Sequence, residues 1–375
     1  MGYNHDHMIK GVSTIDFDKY LLQKPLVQRY PPHDYYDKIR KIVSKLQPIG
    51  MTEVVLTGTS GAHALEVAIR NAILMFNRGK NVSIMTFEGA SNGRTLGTLA
   101  LSQETGPLKD LPSIETITVP LPASKLPISL HETENNENEM KVLKQIVNII
   151  ESRMKDKPVA AIVVEPILNR GNYFATFNFY KNLRKLAKSY GTFFIINETH
   201  TGGGATGKFW ASDLWNSKEI ADFFVFGKKC QVAGYYTKPE FRVEQKYELT
   251  DNWNDIGWKL LQLDAIETGI VKRSLLQRTG DTGAYLRTEL EKIARNRKFI
   301  SNVRGQGTFI GFDIIKRKNE REKLMKFLRE KGIIVKLCDE YTIGLRPALI
   351  LEPIHACYLT RALNEYPCKE TIHSL

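Results

Sequence analysis

Cysteine is scarce in this chain of 375 residues: Cys230, Cys338, Cys357 and Cys368 lie scattered, with no CxxC spacing among them. That pattern excludes a disulfide framework and a cysteine-built zinc site, and it points to free thiols in a reducing compartment. Long apolar runs are lacking too. None reaches the ~18 residues that a bilayer-spanning helix needs, so no membrane partner is expected. The formal charge is +12, yet no arginine-rich tract, zinc-ligand spacing or aromatic ladder accompanies it. Nucleic acid is therefore not the expected partner, and the charge reads as solvated surface or as attraction for an acidic ligand. The opening stretch MGYNHDHMIK matches neither a secretory signal nor an arginine-rich transit peptide, and Asp6 stands where a myristoylation signal carries Ser or Thr. No metal site and no internal repeat is expected.

What is present centres on residues 163–234. Two short apolar runs, 160–164 and 192–196, flank residues 178–190, in which Phe179, Leu183 and Leu186 recur at helical spacing. Strand, helix and strand in that order make a βαβ unit with parallel strands. A third apolar run, 223–226, ends at Gly227-Lys228-Lys229, which places lysine just past the carboxyl end of a buried strand. Open α/β sheets bind ligands at that edge.

The rest of the chain extends this pattern. Residues 1–48 read as an irregular arm leading into a helix that carries Tyr35, Ile39, Ile42 and Val43. A short strand at 54–56 runs into Thr57-Gly58-Thr59-Ser60-Gly61-Ala62 and a helix bearing Leu65, Val67, Ala68, Ala72 and Leu74. A strand, a Gly/Ser/Thr loop and a helix N-terminus together suit an anion such as phosphate, although a plain helix cap explains the serine equally simply. Strands are expected at 82–87 and 116–119, an exposed loop at 131–139, where the chain is acidic and Asn-rich, and a helix at 140–154. Residues 265–297 read as helical. After them, strands at 307–315, 333–337 and 341–345 and helices at 319–331 and 354–365 indicate a smaller α+β domain. The expected domains are an arm with its helix (1–48), a large α/β domain (49–268) and the small domain (269–375).

Glu165-Pro166-Ile167, Asn197-Glu198, Thr201-Gly202-Gly203-Gly204 and Gly227-Lys228, in that order, resemble the class-III aminotransferases that use pyridoxal 5'-phosphate. Phe209-Trp210-Ala211, Tyr235-Tyr236, Glu240-Phe241-Arg242 and Leu345-Arg346-Pro347 extend the likeness toward members acting on 4-aminobutyrate. The resemblance implies an α/β fold of the fold-type-I transferases, with a seven-stranded, mostly parallel sheet and a smaller C-terminal α+β domain. It makes Lys228 the Schiff-base lysine and proton shuttle, because Lys228 follows Gly227 and lies six residues after Asp222; Lys229 is the alternative. Desolvation is what lets such an amine act as a nucleophile near neutral pH. The resemblance further implies that Ser60, Gly61 and Ala62 hold the cofactor phosphate. A residue from a partner subunit completes that cup, at the position of Asn252, so a homodimer is implied. Arg94 is implied to grip the substrate carboxylate, with a plain surface arginine as the alternative.

Several positions depart from the family. Asn197 stands in place of the aspartate that keeps the pyridine nitrogen protonated, Ser91 in place of a stacking aromatic ring, Asn92 in place of a histidine, and His200 in place of a glutamine near the ring hydroxyl. Ala233 replaces a glycine. Arg170 and Gly344 occupy the positions of a glutamate–arginine switch, so the positive charge has changed sides; Arg170 is expected to clamp a carboxylate, with Arg346, two residues along from Gly344, assisting. Three functions follow. The first is amino transfer from an ω-amino acid such as 4-aminobutyrate to a 2-oxo acid such as 2-oxoglutarate. The second is a catalytically impaired relative that keeps the dimeric scaffold for binding or regulation, and the third is a sugar or amine enzyme of the same fold. The family's N-terminal portion, including any mitochondrial presequence, has no counterpart before Met1, so the chain is expected to be shortened or incompletely begun. The resemblance implies the mitochondrial matrix, and otherwise the cytoplasm.

Overall fold

The computed structural model describes residues 1, 5–12, 33–77, 81–102, 111, 114–217, 219–243, 257–315 and 319–368. Seven strands build the larger sheet: β1 (Glu53–Gly58), β2 (Ser83–Phe87), β3 (Thr116–Val119), β4 (Val159–Val164), β5 (Phe193–Asn197), β6 (Phe223–Phe226) and β7 (Ala233–Thr237). Their order is β1-β7-β6-β5-β4-β2-β3. β7 runs antiparallel to both of its neighbours, and the other pairs are parallel. Every residue of β2, β4 and β6 is buried because both faces of the sheet are covered, and β4 and β6 are accordingly apolar without alternation.

Helices supply the cover. With α1 (Asp6–Val12) and α2 (Tyr35–Val43) counted first, α3 (Gly61–Asn77) lays Leu65, Val67 and Ala72 against Ile195, Phe223 and Val225. The short α4 (Leu96–Leu99) follows. On the opposite face α5 (Glu132–Arg153) and α6 (Phe177–Ser189) pack Ile146, Phe179 and Leu183 against Phe194, Ile196 and Phe224. Adjacent residues of β5 thus serve opposite cores. Thr176 caps α6 by accepting from the Phe179 amide at 3.3 Å.

The smaller unit follows α7 (Gly257–Lys272). It comprises α8 (Leu275–Arg297), β8 (Ile300–Gln306), β9 (Phe309–Ile314), α9 (Glu320–Glu330), β10 (Lys336–Leu337), β11 (Thr342–Leu345) and α10 (Pro353–Glu365). Its sheet is antiparallel, in the order β10-β11-β9-β8, around Leu290, Phe312, Leu324, Ile343 and Leu363. This is the mostly parallel sheet with a small C-terminal α+β domain that the resemblance implies.

Five local expectations are corrected. Residues 131–139 are helical rather than an exposed loop, because α5 begins at Glu132 and its polar residues face inward onto partners. Asn135 exchanges hydrogen bonds with the Lys125 backbone at 2.8 and 3.1 Å, and Glu139 accepts from the Thr176 amide and hydroxyl at 2.9 Å. The helical run 265–297 breaks at Ser274, whose φ of +50° interrupts the ladder. The strand at 307–315 is the second arm of a hairpin whose first arm, β8, is too polar to be legible; Gly307, at φ +53°, makes the turn. The strand at 333–337 shrinks to two residues. Within the arm, α1 adds a helix that residues 1–48 did not suggest.

Candidate active site

Three loops meet at the carboxyl edge of the larger sheet. The β1–α3 loop brings Ser60, Gly61 and Ala62, the segment after β5 brings Asn197–His200, and the segment after β6 brings Gly227–Lys229. Their approach is close. A Cβ on Gly61 would lie 2.7 Å from Thr199 Cγ2, and one on Gly227 would lie 3.1 Å from the Gly61 Cα, so only glycine fits at Gly61 without displacement. Ser60 Oγ accepts from the His63 amide at 3.3 Å, which makes it the cap of α3 and leaves its own proton to give. The plain-cap and anion readings therefore coexist at one hydroxyl.

Both lysines after β6 have weakly basic amines. Loss of water on burial, and then the charge of Lys336, push Lys228 down to about 8; burial and then Arg346 push Lys229 down to about 8. Lys228 is the more exposed of the two, and its ammonium abuts His200 Nε2. Lys229 is turned inward: its Nζ donates to the His200 carbonyl at 2.9 Å and lies 5.9 Å from the centre of the Phe309 ring. Lys228 sits at φ +48°, a left-handed conformation that begins a single 3₁₀ turn.

His200 is half-buried beside Glu165, with Nδ1 3.3 Å from the carboxylate. Burial lowers its pKa, so the ring is neutral at pH 7. Glu165 also accepts from the Ser91 amide at 2.9 Å and the Asn169 amide at 3.4 Å, which ties the loop after β2 to the end of β4. Asn197 is bonded at both polar ends. Its Nδ2 donates to Asn92 Oδ1 at 2.9 Å, and its Oδ1 accepts from the Thr199 amide at 3.2 Å and the Thr199 hydroxyl at 2.7 Å.

Other expected residues are placed less centrally. Arg94 is exposed on the loop before α4, and Arg170 is half-buried on the loop after β4. Asn252 lies outside the described residues. Ala233 opens β7 and is buried against the neighbourhood of Gly227. Lys336, Asn169 and Asn172 were not singled out from sequence. Lys336 donates to Asn169 Oδ1 at 2.7 Å, and Arg346 donates to Asn172 Oδ1 at 2.9 Å while its guanidinium lies 3.5 Å from the centre of the Phe309 ring. Lys336 stands more than 130 residues after Asn169, and no local pattern announces that meeting.

The family described as Aminotransferase class-III matches residues 1–365. The chain belongs to that family. The human mitochondrial 4-aminobutyrate aminotransferase is 32% identical over 384 residues, which cover 95% of this chain and 76% of the relative. The 4-aminobutyrate aminotransferase of Dictyostelium discoideum is 30% identical over 392 residues, covering 98% and 78%. Among solved structures, a lysine aminotransferase from M. tuberculosis superposes with a TM-score of 0.82 at 21% identity, covering 97% of this chain and 86% of that one. An amine transaminase from an uncultivated Pseudomonas species gives 0.82 at 16% identity, with the same coverage. At those identities the structures speak for the fold, which is that of the fold-type-I transferases.

Proposed function

We propose that this class-III aminotransferase moves an amino group from an ω-amino acid such as 4-aminobutyrate to a 2-oxo acid such as 2-oxoglutarate, with Lys228 as the lysine that bonds the cofactor. The observation that carries the reading is the close approach of Gly227, which precedes the two weakly basic lysines at the carboxyl end of β6, to Gly61 at the N-terminus of α3. The names of the relatives at 30–32% identity support the substrate pair.

The donor set fits pyridoxal phosphate at its phosphate and aldehyde ends. Ser60 Oγ and the amides of Gly61 and Ala62 would hold the phosphate, and Lys228 would engage the aldehyde. When bound, the cofactor supplies the electron sink for amino transfer. The protein's own part is to hold Lys228 with an appreciable neutral fraction at pH 8 and to set His200 Nε2 against that amine, with Glu165 beside the other ring nitrogen. Ser91 and His200 would line the ring, Arg94 and Arg170 would grip the substrate, and Asn252 would reach across a homodimer interface.

A second reading, that of an impaired relative, is favoured by one specific observation. Both polar ends of Asn197 are spent on Asn92 and Thr199, so a neutral amide stands where the ring nitrogen calls for a carboxylate. Glutamate formation from 4-aminobutyrate and 2-oxoglutarate by cofactor-loaded protein separates the two. Turnover that disappears in Lys228→Ala supports the transferase; cofactor uptake without turnover on any ω-amino acid supports the impaired relative.

A further inference from the structure

Four cations, Lys228, Lys229, Lys336 and Arg346, lie close enough for their charges to act on one another. Among the described residues none of them pairs with a carboxylate within 4.0 Å. Glu165 is the carboxylate whose charge reaches three of them, but it is turned toward Ser91 and His200. Partly buried positive charge without a counter-ion is unfavourable, and an arriving anion relieves it.

The small domain shapes that excess into a seat. Lys336 on β10 is the direct cross-strand partner of Gly344 on β11, so the two positions share a face of the small sheet. That face is filled beside the glycine: a Cβ on Gly344 would meet Cys338 Sγ at 2.3 Å and Arg346 Nη1 at 3.2 Å. Arg346 folds back over it. Lys336 and Arg346 then end on the same loop, where Asn169 and Asn172 offer them neutral oxygens alone. Arg346 Nε is buried with no partner. Two cations of different geometry, a point ammonium and a planar fork, converge with unspent donor capacity.

We infer that Lys336 and Arg346 form a seat for an anionic group at the end of the substrate remote from its amine, and that Lys336 decides the preference for it. A carboxylate suits the seat because its planar oxygens match the guanidinium fork, while the N-terminus of α3 already offers a separate site for phosphate. This assignment rests on the proposed function, since it names the acidic end of that substrate.

The test is a calorimetric titration of glutarate into the protein, with and without added pyridoxal phosphate, alongside Lys336→Met and Lys336→Arg. Glutarate needs no turnover to bind, so protein that takes up no cofactor fails the functional reading alone. The expected result is that Lys336→Met weakens glutarate binding about 10- to 100-fold and that Lys336→Arg restores most of it. Lys336→Met should still form the visible band of cofactor on Lys228, with its pH midpoint moved up because a neighbouring positive charge is gone, and its melting temperature should not fall. Equal glutarate affinity in wild type and Lys336→Met overturns the seat. So does inorganic phosphate that outcompetes glutarate and is itself lost with Lys336, because the cations would then serve phosphate.

Discussion

Asn197 donates its amide proton to Asn92 Oδ1 at 2.9 Å, joining the end of β5 to the loop after β2 through two neutral side chains. The bond has a fixed direction. Asn92 cannot turn its amide over, because its Nδ2 already donates to the Leu101 carbonyl at 2.8 Å and to Thr86 Oγ1 at 3.3 Å. The two side chains are thus one structural unit.

Asn197→Asp sets a carboxylate oxygen against the Asn92 oxygen in a site closed to water. The variant should lose about 1–3 kcal/mol, since a buried acceptor is left facing another acceptor. Protonation turns that oxygen into a donor, so the new group has a raised folded-state pKa. Its deficit should be small in acid and grow as pH rises through and above about 4, the ordinary value for Asp. Urea unfolding across pH checks this, and Asn197→Asp/Asn92→His should recover stability at neutral pH because the imidazole can donate. A single variant as stable as wild type at pH 8 contradicts the fixed orientation.

Lys229→Met should be more stable than wild type at pH 7, by about 1–3 kcal/mol, despite losing the bond to the His200 carbonyl. The folded state holds this amine at about 8, whereas the unfolded chain holds it near ~10.4. Wild type therefore binds fewer protons folded than unfolded between those values, and its stability rises across that window. The advantage of the methionine variant should shrink from pH 8 upward and largely vanish by about pH 10.4. Thermal unfolding at a series of pH values reads it directly; an advantage that grows with pH contradicts the assignment.

Arg184 grips Asp222 with two bonds of 2.8 and 2.7 Å, both side chains being at most 7% exposed. Asp222 also accepts from the Phe194 amide at 2.8 Å, so it pins α6 and β5 at the entry to β6. Asp222→Ala should cost about 3–5 kcal/mol, because it leaves a buried guanidinium unpaired. The urea midpoint should fall accordingly, and Arg184→Met/Asp222→Leu should recover much of the loss. A midpoint unchanged in Asp222→Ala contradicts this role.

Glu165→Gln removes the negative charge that holds the Lys228 pKa up against burial and Lys336. The pH midpoint for cofactor attachment to Lys228 should move to lower pH. A move to higher pH contradicts the charge assignment, and a null shift means that the carboxylate acts on His200 alone.

Much of this was legible from the sequence where burial is two-sided. β4, β5 and β6 carry uninterrupted apolar runs, and the lysines after β6 announce the edge at which ligands bind. α5 hid its first two turns because Asn135 and Glu139 are polar residues whose partners, Lys125 and Thr176, lie elsewhere in the chain. β8 hid for a related reason: Ser301 and Asn302 are exposed within it, and an edge strand of a one-sided sheet need not read as apolar. The cation seat was illegible because Lys336 gains meaning only from the register that sets it opposite Gly344. That register belongs to the folded sheet and to no local pattern.

The central claim is that Lys228, and not its neighbour, bonds the cofactor. Protein incubated with pyridoxal 5'-phosphate, reduced with borohydride and digested, should yield one labelled peptide by mass spectrometry, with the pyridoxyl mass on Lys228. Lys228→Ala should abolish the label while Lys229→Met retains it. A label on Lys229, or no label at all in folded wild-type protein, contradicts the account.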